Sequence, residues 1–125
     1  MTAGHTITIV PSPAHVEVRL EGELLASTDA ALRLEETGLP ARYYLPRRDV
    51  RMDRLQATTF QTTCPFKGQA SYWSVEVGSS EVGRTVHDGV VWSYDDPKPE
   101  VSAIAGLLSF YPDRTEVTVD GQPLA

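Results

Sequence analysis

The chain has 125 residues, of which 41% are hydrophobic and 22% charged, as expected for one globular domain with a single core. Its formal net charge of −6 argues against a surface that binds nucleic acid through the phosphates. No apolar run approaches the roughly eighteen residues of a membrane span, and the first residues lack the basic and apolar regions of a signal peptide. We therefore expect a cytoplasmic protein whose partners are neither nucleic acids nor membranes.

Metal ligands are sparse. The single cysteine, Cys64, cannot form an internal disulfide and provides too few thiolates for a structural zinc site. The three histidines, His5, His15 and His87, are widely separated and show no ligand spacing. We predict neither a metal site nor a cofactor.

The sequence divides into a short start and one β domain. We expect residues 1–12 to form a mobile N-terminal extension and residues 13–125 to form a single domain. HVEVRLEGELLA predicts two strands around a turn at Glu21-Gly22, because glycine readily takes the positive φ of a tight hairpin. TEVTVDGQPLA predicts a second hairpin around Asp120-Gly121.

Strand patterns continue through the middle of the chain. Residues 71–77 alternate so that Trp73 and two valines share one face of a strand. After a Gly-Ser-Ser turn, residues 81–86 are expected to return as a strand that ends in a turn at Asp88-Gly89. Residues 90–94, VVWSY, then form the next predicted strand.

Helix signals are few. PEVSAIAG predicts about two helical turns, with Pro99 near the start and Gly106 as the stop. RDVRMDRL predicts another short helical turn that Asp49 caps, and LLSFY predicts a buried strand. The predicted fold class is therefore all-β and mainly antiparallel, with one or two short helices.

Three segments carry a family resemblance: ETGLPARYYLPRRDVRMDRL, TTCPFKGQASYWSV and VVWSYDDPKPEVSAIAGLLSFY. From about His5 to Gly121 the chain resembles domain-of-unknown-function family 427. The resemblance implies a β-tent, in which two antiparallel sheets lean together around a cleft, as in R-specific methionine sulfoxide reductases and Rab exchange-factor-like domains. Many proteins of this architecture hold zinc through paired Cys-x-x-Cys motifs, which this sequence lacks, so its core is expected to form without metal.

The family is sometimes labelled nucleotidyltransferase-like, which provides one alternative function. Nucleotidyl transfer needs carboxylates that converge on Mg²⁺ and a cradle for phosphates. The obvious carboxylate pairs are Asp95 with Asp96 and Asp49 with Asp53, and no glycine-rich loop precedes a helix. The residues therefore support this alternative poorly.

A second alternative is a thiol-dependent enzyme of the reductase or transferase type. Its catalytic residues would be Cys64 as nucleophile or redox centre, Lys67 as the cation that lowers the thiol pKa, and Glu100 as proton carrier. A lone cysteine, however, is also a common buried apolar residue, so structural burial of Cys64 is the competing interpretation.

Aromatic and charged residues predict a ligand site. The predicted ligand-binding residues are Arg47, Asp49, Tyr72, Trp73, Trp92 and Tyr94. Arg47 and Asp49 follow a Tyr-Tyr strand end, where polar loop residues often bind ligands, although a surface ion pair explains them equally well. Trp73 and Trp92 would also serve simply to fill the core of a small β domain.

The preferred interpretation is a cleft that binds a small polar or aromatic molecule, without a commitment to catalysis. The alternatives are the two enzymes above and a structural or interaction module that uses an exposed sheet edge. The protein is expected to be a monomer or a homodimer, with a small molecule as its ligand.

Overall fold

The computed structural model describes residues 4–79 and 83–124. Within these ranges the fold is mostly antiparallel β-structure, which confirms the predicted fold class. The strands are β1 (Ile7–Pro11), β2 (Val16–Leu20), β3 (Glu23–Thr28), β4 (Leu32–Glu36), β5 (Arg42–Tyr44), β6 (Leu55–Cys64), β7 (Gly68–Ser79), β8 (Gly83–Ser93), β9 (Leu108–Phe110), β10 (Glu116–Val119) and β11 (Gln122–Pro123). Short 3₁₀ helices span Arg47–Asp49, Met52–Arg54 and Pro99–Ile104.

The described strands form three sheets, with the orders β1-β4-β5, β11-β10-β2-β3 and β6-β7-β8-β9. The family resemblance predicts two. The first and third sheets are nevertheless joined, because the backbones of Leu45 and Leu108 exchange hydrogen bonds of 2.7 and 2.9 Å. This bridge places β5 beside β9.

Both predicted hairpins are confirmed. Glu21 and Gly22 have φ values of 50° and 81° and connect β2 to β3. Asp120 and Gly121 have φ values of 49° and 80° and connect β10 to β11. Two successive residues with positive φ are typical of a type I′ turn, whose twist matches that of the flanking strands.

The turn predicted at Asp88-Gly89 is wrong. β8 runs through this pair without a break, but Trp73 pairs with Val91 while Val75 pairs with His87, so extra residues of β8 form a bulge. Gly89 has a φ of 62°, which explains why a turn-like dipeptide occurs here. The predicted Gly-Ser-Ser turn begins at Gly78, but Gly78 and Ser79 are the last two residues of β7. The third residue of this turn and the first two of the predicted strand, residues 80–82, lie outside the described residues.

The expected N-terminal extension contains a strand. Residues 7–11 pair with β4 at every position as β1, and the domain boundary at residue 12 stays a prediction. The alternating side chains of Ile7 and Ile9 explain the pairing, because both pack against buried apolar residues.

The predicted helical segments are confirmed as 3₁₀ helices, with one correction. In Pro99–Ile104 the side chains of Val101 and Ile104 are buried. Asp49 does not cap a helix. Its carboxylate instead accepts a 2.7 Å hydrogen bond from the hydroxyl of Thr28, because the chain passes beside β3 at this point.

Two apolar clusters fill the interior. The larger cluster lies between the β2-β3-β10 region and the inner faces of β7 and β8, and includes Val16, Val18, Leu25, Val75, Val90 and Val91. The second cluster comprises Leu34, Tyr44, Ala70, Trp92, Tyr94, Val101 and Ile104. It connects β4 and β5 to β7, β8 and the last helix, and it contributes side chains to the cleft described below.

We predict that Leu108→Ala lowers the free energy of unfolding by about 2–5 kcal/mol, because Leu108 is fully buried where two sheets join. Leu39→Ala is the matched control, since 58% of Leu39 is exposed and its truncation leaves no cavity. Urea unfolding of both variants provides the measurement. Equally small losses in the free energy of unfolding of both variants would show that packing at this junction does not stabilise the fold.

Candidate functional site

A cleft of about 200 Å³ opens beside β4, β5, β7 and β8. Its aromatic lining consists of Tyr44, Tyr72, Trp92, Tyr94 and Tyr111. The charged lining residues are Glu36, Arg42 and Lys67, and the apolar ones are Leu34, Leu39 and Pro40. These residues define what we term the aromatic cleft.

A buried ion pair contributes to the wall of the cleft. The ammonium of Lys67, in the turn between β6 and β7, donates a hydrogen bond to Oε1 of Glu36, the last residue of β4. Only 10% and 4% of these two side chains are exposed. The second carboxylate oxygen of Glu36 lies 3.1 Å from Nε2 of His5. Both oxygens of a buried carboxylate are therefore held by nitrogen atoms, which offsets the loss of hydration.

His5 extends this network to the outside of the cleft. Its ring stacks on that of Phe66, with centroids 3.7 Å apart and planes inclined by 20°. Phe66 precedes Lys67 in the same turn. The stacking therefore positions the imidazole and the ammonium on opposite oxygens of one carboxylate, and it links the N-terminal segment to the β6–β7 turn.

Trp92 organises the aromatic lining. Its Nε1 donates a 3.1 Å hydrogen bond to the hydroxyl of Tyr44, and the two rings meet edge to face at 89°. On its other side Trp92 contacts Tyr111, with a centroid distance of 4.5 Å. These contacts satisfy the indole donor and fix the orientation of three rings.

Three phenols of the cleft, those of Tyr44, Tyr94 and Tyr111, are neutral at ordinary pH. Burial raises the pKa of Tyr44 and of Tyr94 well above the usual value for tyrosine. Burial, followed by a hydrogen bond with Tyr72, raises the pKa of Tyr111 to about 12. Neutral hydroxyls both donate and accept hydrogen bonds, so they offer polar contacts to a ligand without adding charge.

Arg42 is the cation that the cleft leaves unneutralised. It is half-buried in β5, and its Nη1 donates a 3.1 Å hydrogen bond to the carbonyl oxygen of Ala41. Within residues 4–79 and 83–124 it forms no ion pair, whereas Lys67 is matched by Glu36. The positive charge available to a ligand is therefore that of Arg42.

The structure brings together four of the residues predicted from sequence. Lys67, Tyr72, Trp92 and Tyr94 all line the aromatic cleft. Cys64 is half-buried and packs against the second apolar cluster. The ammonium of Lys67 is bound to Glu36, and the role of Lys67 as charge partner of the Cys64 thiol stays a prediction.

The remaining predicted residues lie elsewhere. The Arg47 guanidinium lies over the ring of Trp73 at 5.1 Å and forms a 3.1 Å ion pair with Asp95. Asp49 contacts β3, as described above. Glu100 is exposed beside His5 and Phe66 in a separate depression. None of these side chains lines the aromatic cleft.

Sequence reasoning missed Glu36, Arg42, Tyr44 and Tyr111. The sequence does contain an indication of Glu36. In the strand LRLEE it lies on the same face as Leu32 and Leu34, which places a carboxylate on an apolar face. Such a residue requires a buried partner. Its partner, Lys67, lies 31 positions away, and nothing in the spacing indicates that contact.

Among the described residues, no three His, Cys, Asp or Glu side chains are close enough to hold a metal ion. Of the carboxylates considered above, Asp49, Asp53 and Asp95 pair with arginines. No helix in the described part of the chain is long and apolar enough to span a membrane.

We predict that Lys67→Met lowers the free energy of unfolding by about 3–5 kcal/mol, because it leaves the buried Glu36 carboxylate without its ammonium. The double variant Glu36→Gln/Lys67→Met should recover part of this loss. Arg33→Met is the control, since it breaks an exposed pair with Glu35 on the same strand and should change stability by less than about 0.5 kcal/mol. If the losses in the free energy of unfolding of the two single variants simply add in the double variant, Glu36 and Lys67 are not energetically coupled.

A second prediction concerns alkaline pH. The pKa of Tyr111 is about 12 in the folded chain, against 10.0 for an unperturbed tyrosine. Its stabilising contribution is therefore complete below pH 10.0 and is lost as the pH rises toward about 12. Absorbance titration of tyrosinate should show a step in this range that Tyr111→Phe removes. Ionisation of every tyrosine near pH 10.0 in the folded chain would contradict the burial argument.

The comparisons agree with the resemblance seen in the sequence. The profile of a family described as a domain of unknown function, DUF427, matches residues 8–121. This range includes every residue of the aromatic cleft. A comparison with curated proteins found no significant match. On the extent of the profile match, the chain belongs to the DUF427 family.

Proposed function

We propose that the aromatic cleft binds a small planar molecule that carries an anionic group. The observation that carries the proposal is the unneutralised Arg42 guanidinium on a cleft walled by Tyr44, Trp92 and Tyr94. Ligand sites commonly combine aromatic walls with a few convergent polar groups. A guanidinium that forms no ion pair within the protein is well suited to bind the carboxylate of a ligand.

The size of the cleft restricts the ligand. Its volume of about 200 Å³ is below the range of roughly 300–1,000 Å³ that is usual for drug-sized ligands. One aromatic ring with a single charged substituent fits this space. The rings of Trp92 and Tyr111 would contact such a ring, and the phenols would accept or donate hydrogen bonds to its edge.

Charge balance favours an anion. The Lys67 ammonium and the Glu36 carboxylate compensate one another, so neither attracts a ligand ion strongly. Arg42 remains without an ion pair among the described residues, and the neighbouring phenols are uncharged. A ligand carboxylate beside Arg42 would neutralise the charge of its guanidinium, whereas a ligand ammonium there would be repelled.

The enzymatic alternatives receive less support. A thiol enzyme needs a cation or base beside Cys64, and Lys67 is committed to Glu36. Nucleotidyl transfer needs converging carboxylates, and no three His, Cys, Asp or Glu side chains of the described residues are close enough to hold a metal ion. The proposal therefore concerns binding and includes no chemical step.

The test uses benzoate as the probe in isothermal titration calorimetry. We expect binding of benzoate and at least tenfold weaker binding of its neutral isostere benzamide, which corresponds to about 1.4 kcal/mol. Arg42→Gln should weaken benzoate binding by a similar factor. Arg48→Gln is the matched control, because the Arg48 side chain is 73% exposed and does not line the cleft.

Three results would contradict anion binding by the aromatic cleft. Equal affinity for benzoate and benzamide would show that the charge of Arg42 plays no part. Equal losses in Arg42→Gln and Arg48→Gln would indicate attraction by net charge and not by the cleft. Absence of heat and of any melting-temperature shift at saturating benzoate would overturn the proposal.

A further inference from the structure

A second and larger cavity lies on the far side of Tyr72 and Tyr111. Its volume is about 570 Å³, within the range usual for small-molecule sites. The lining residues that matter here are Phe60, Tyr72, Asp88, Tyr111, Asp113 and Arg114. We term it the outer cavity. It shares only Tyr72 and Tyr111 with the aromatic cleft.

Irregularities in two strands border the outer cavity. The pairing of β6 with β7 is interrupted between Ala57 and Gln61. There the Thr58 hydroxyl donates a 2.9 Å hydrogen bond to the carbonyl of Tyr72 and accepts one of 3.2 Å from the amide of Phe60. The bulge of β8 at Asp88 lies on the other side of β7. Bulges of this kind often re-aim side chains beside binding sites.

The first irregularity presents an aromatic ring to solvent. Phe60 is 61% exposed, and its ring centroid lies 5.1 Å from that of Tyr72. Together with Tyr111 these rings line one cavity. The exposed ring of Phe60, tilted by 51° against that of Tyr72, offers aromatic surface to a ligand.

The second irregularity positions a carboxylate. The buried hydroxyl of Ser74 donates a 3.2 Å hydrogen bond to Oδ1 of Asp88 and accepts one of 3.3 Å from the amide of Gly89. Arg114 donates a 3.0 Å hydrogen bond to the carbonyl oxygen of Asp88. In the described part of the chain, neither Asp88 nor Asp113 forms an ion pair, and the hydrogen bond that Asp88 accepts from Ser74 leaves its negative charge without a cationic partner.

We propose that the outer cavity binds a small organic cation, an ammonium group attached to an apolar body. The ammonium would be attracted by Asp88 and Asp113, which outnumber the single guanidinium of the lining. The faces of Phe60, Tyr72 and Tyr111 attract a cation through their π-systems and contact its apolar part. This site differs in charge preference from the aromatic cleft and does not depend on the function proposed for that cleft.

The test uses phenethylamine as the probe and two-dimensional ¹⁵N–¹H NMR as the readout. We expect saturable shifts of the amides of Thr59, Gly89 and Asp113, with weaker binding as the salt concentration rises. Asp113→Asn and Phe60→Ala should each weaken binding by about threefold or more. Asp53→Asn is the control, because Asp53 is an exposed aspartate paired with Arg51 away from the cavity, and it should leave the affinity unchanged.

A neutral isostere, phenethyl alcohol, separates cation recognition from general apolar binding. Equal affinity for the amine and the alcohol would overturn the proposal, as would equal losses in Asp113→Asn and Asp53→Asn, or shifts confined to other surfaces. The spectra also report whether each variant is folded. Benzoate binding should be unchanged in Asp113→Asn, so failure at the outer cavity is distinguishable from failure at the aromatic cleft.

Discussion

The cleft depends on the buried ion pair between Lys67 and Glu36. This contact joins the β6–β7 turn to the end of β4 and so holds the third sheet to the first at a point distant from the Leu45–Leu108 bridge. The carbonyl of Lys67 also accepts a 3.0 Å hydrogen bond from the amide of Lys98, which holds the loop after β8 against the same turn. One pair of charges thus fixes the turn, the loop and the end of a strand.

The same pair determines what the cleft can attract. Because each charge is neutralised by the other, the electrostatic preference of the cleft is left to Arg42 and to uncharged phenols. The outer cavity has the opposite preference, since its carboxylates lack ionic partners among the described residues. Tyr72 and Tyr111 separate the two regions and belong to both linings.

Local features of the fold could be predicted from the sequence, and contacts between distant segments could not. The turn chemistry of Glu21-Gly22 and Asp120-Gly121 gave correct hairpins, because adjacent residues suffice to define them. The similar dipeptide Asp88-Gly89 forms a bulge, since the Ser74 hydroxyl, on a neighbouring strand, donates a hydrogen bond to Asp88 and accepts one from the amide of Gly89. Local pattern alone does not distinguish these two outcomes.

The candidate site, too, could be predicted from the sequence only where local pattern was enough. Tyr72, Trp92 and Tyr94 could be found because aromatic residues on predicted strands stand out. Glu36 and Lys67 are 31 residues apart, so their contact appears only in the folded chain. Trp73 fell outside the cleft because it packs against the larger apolar cluster and under Arg47.

The most direct test of the account follows the two indole N–H signals in ¹⁵N–¹H spectra during a benzoate titration. Trp92 lines the aromatic cleft, whereas Trp73 donates to Ser93 outside it, so one chain contains both reporter and control. If benzoate binds in the aromatic cleft, the Trp92 indole signal should shift saturably and the Trp73 signal should stay nearly constant. A shift of Trp73 alone, or no shift of either signal at saturating benzoate, would contradict binding in this cleft.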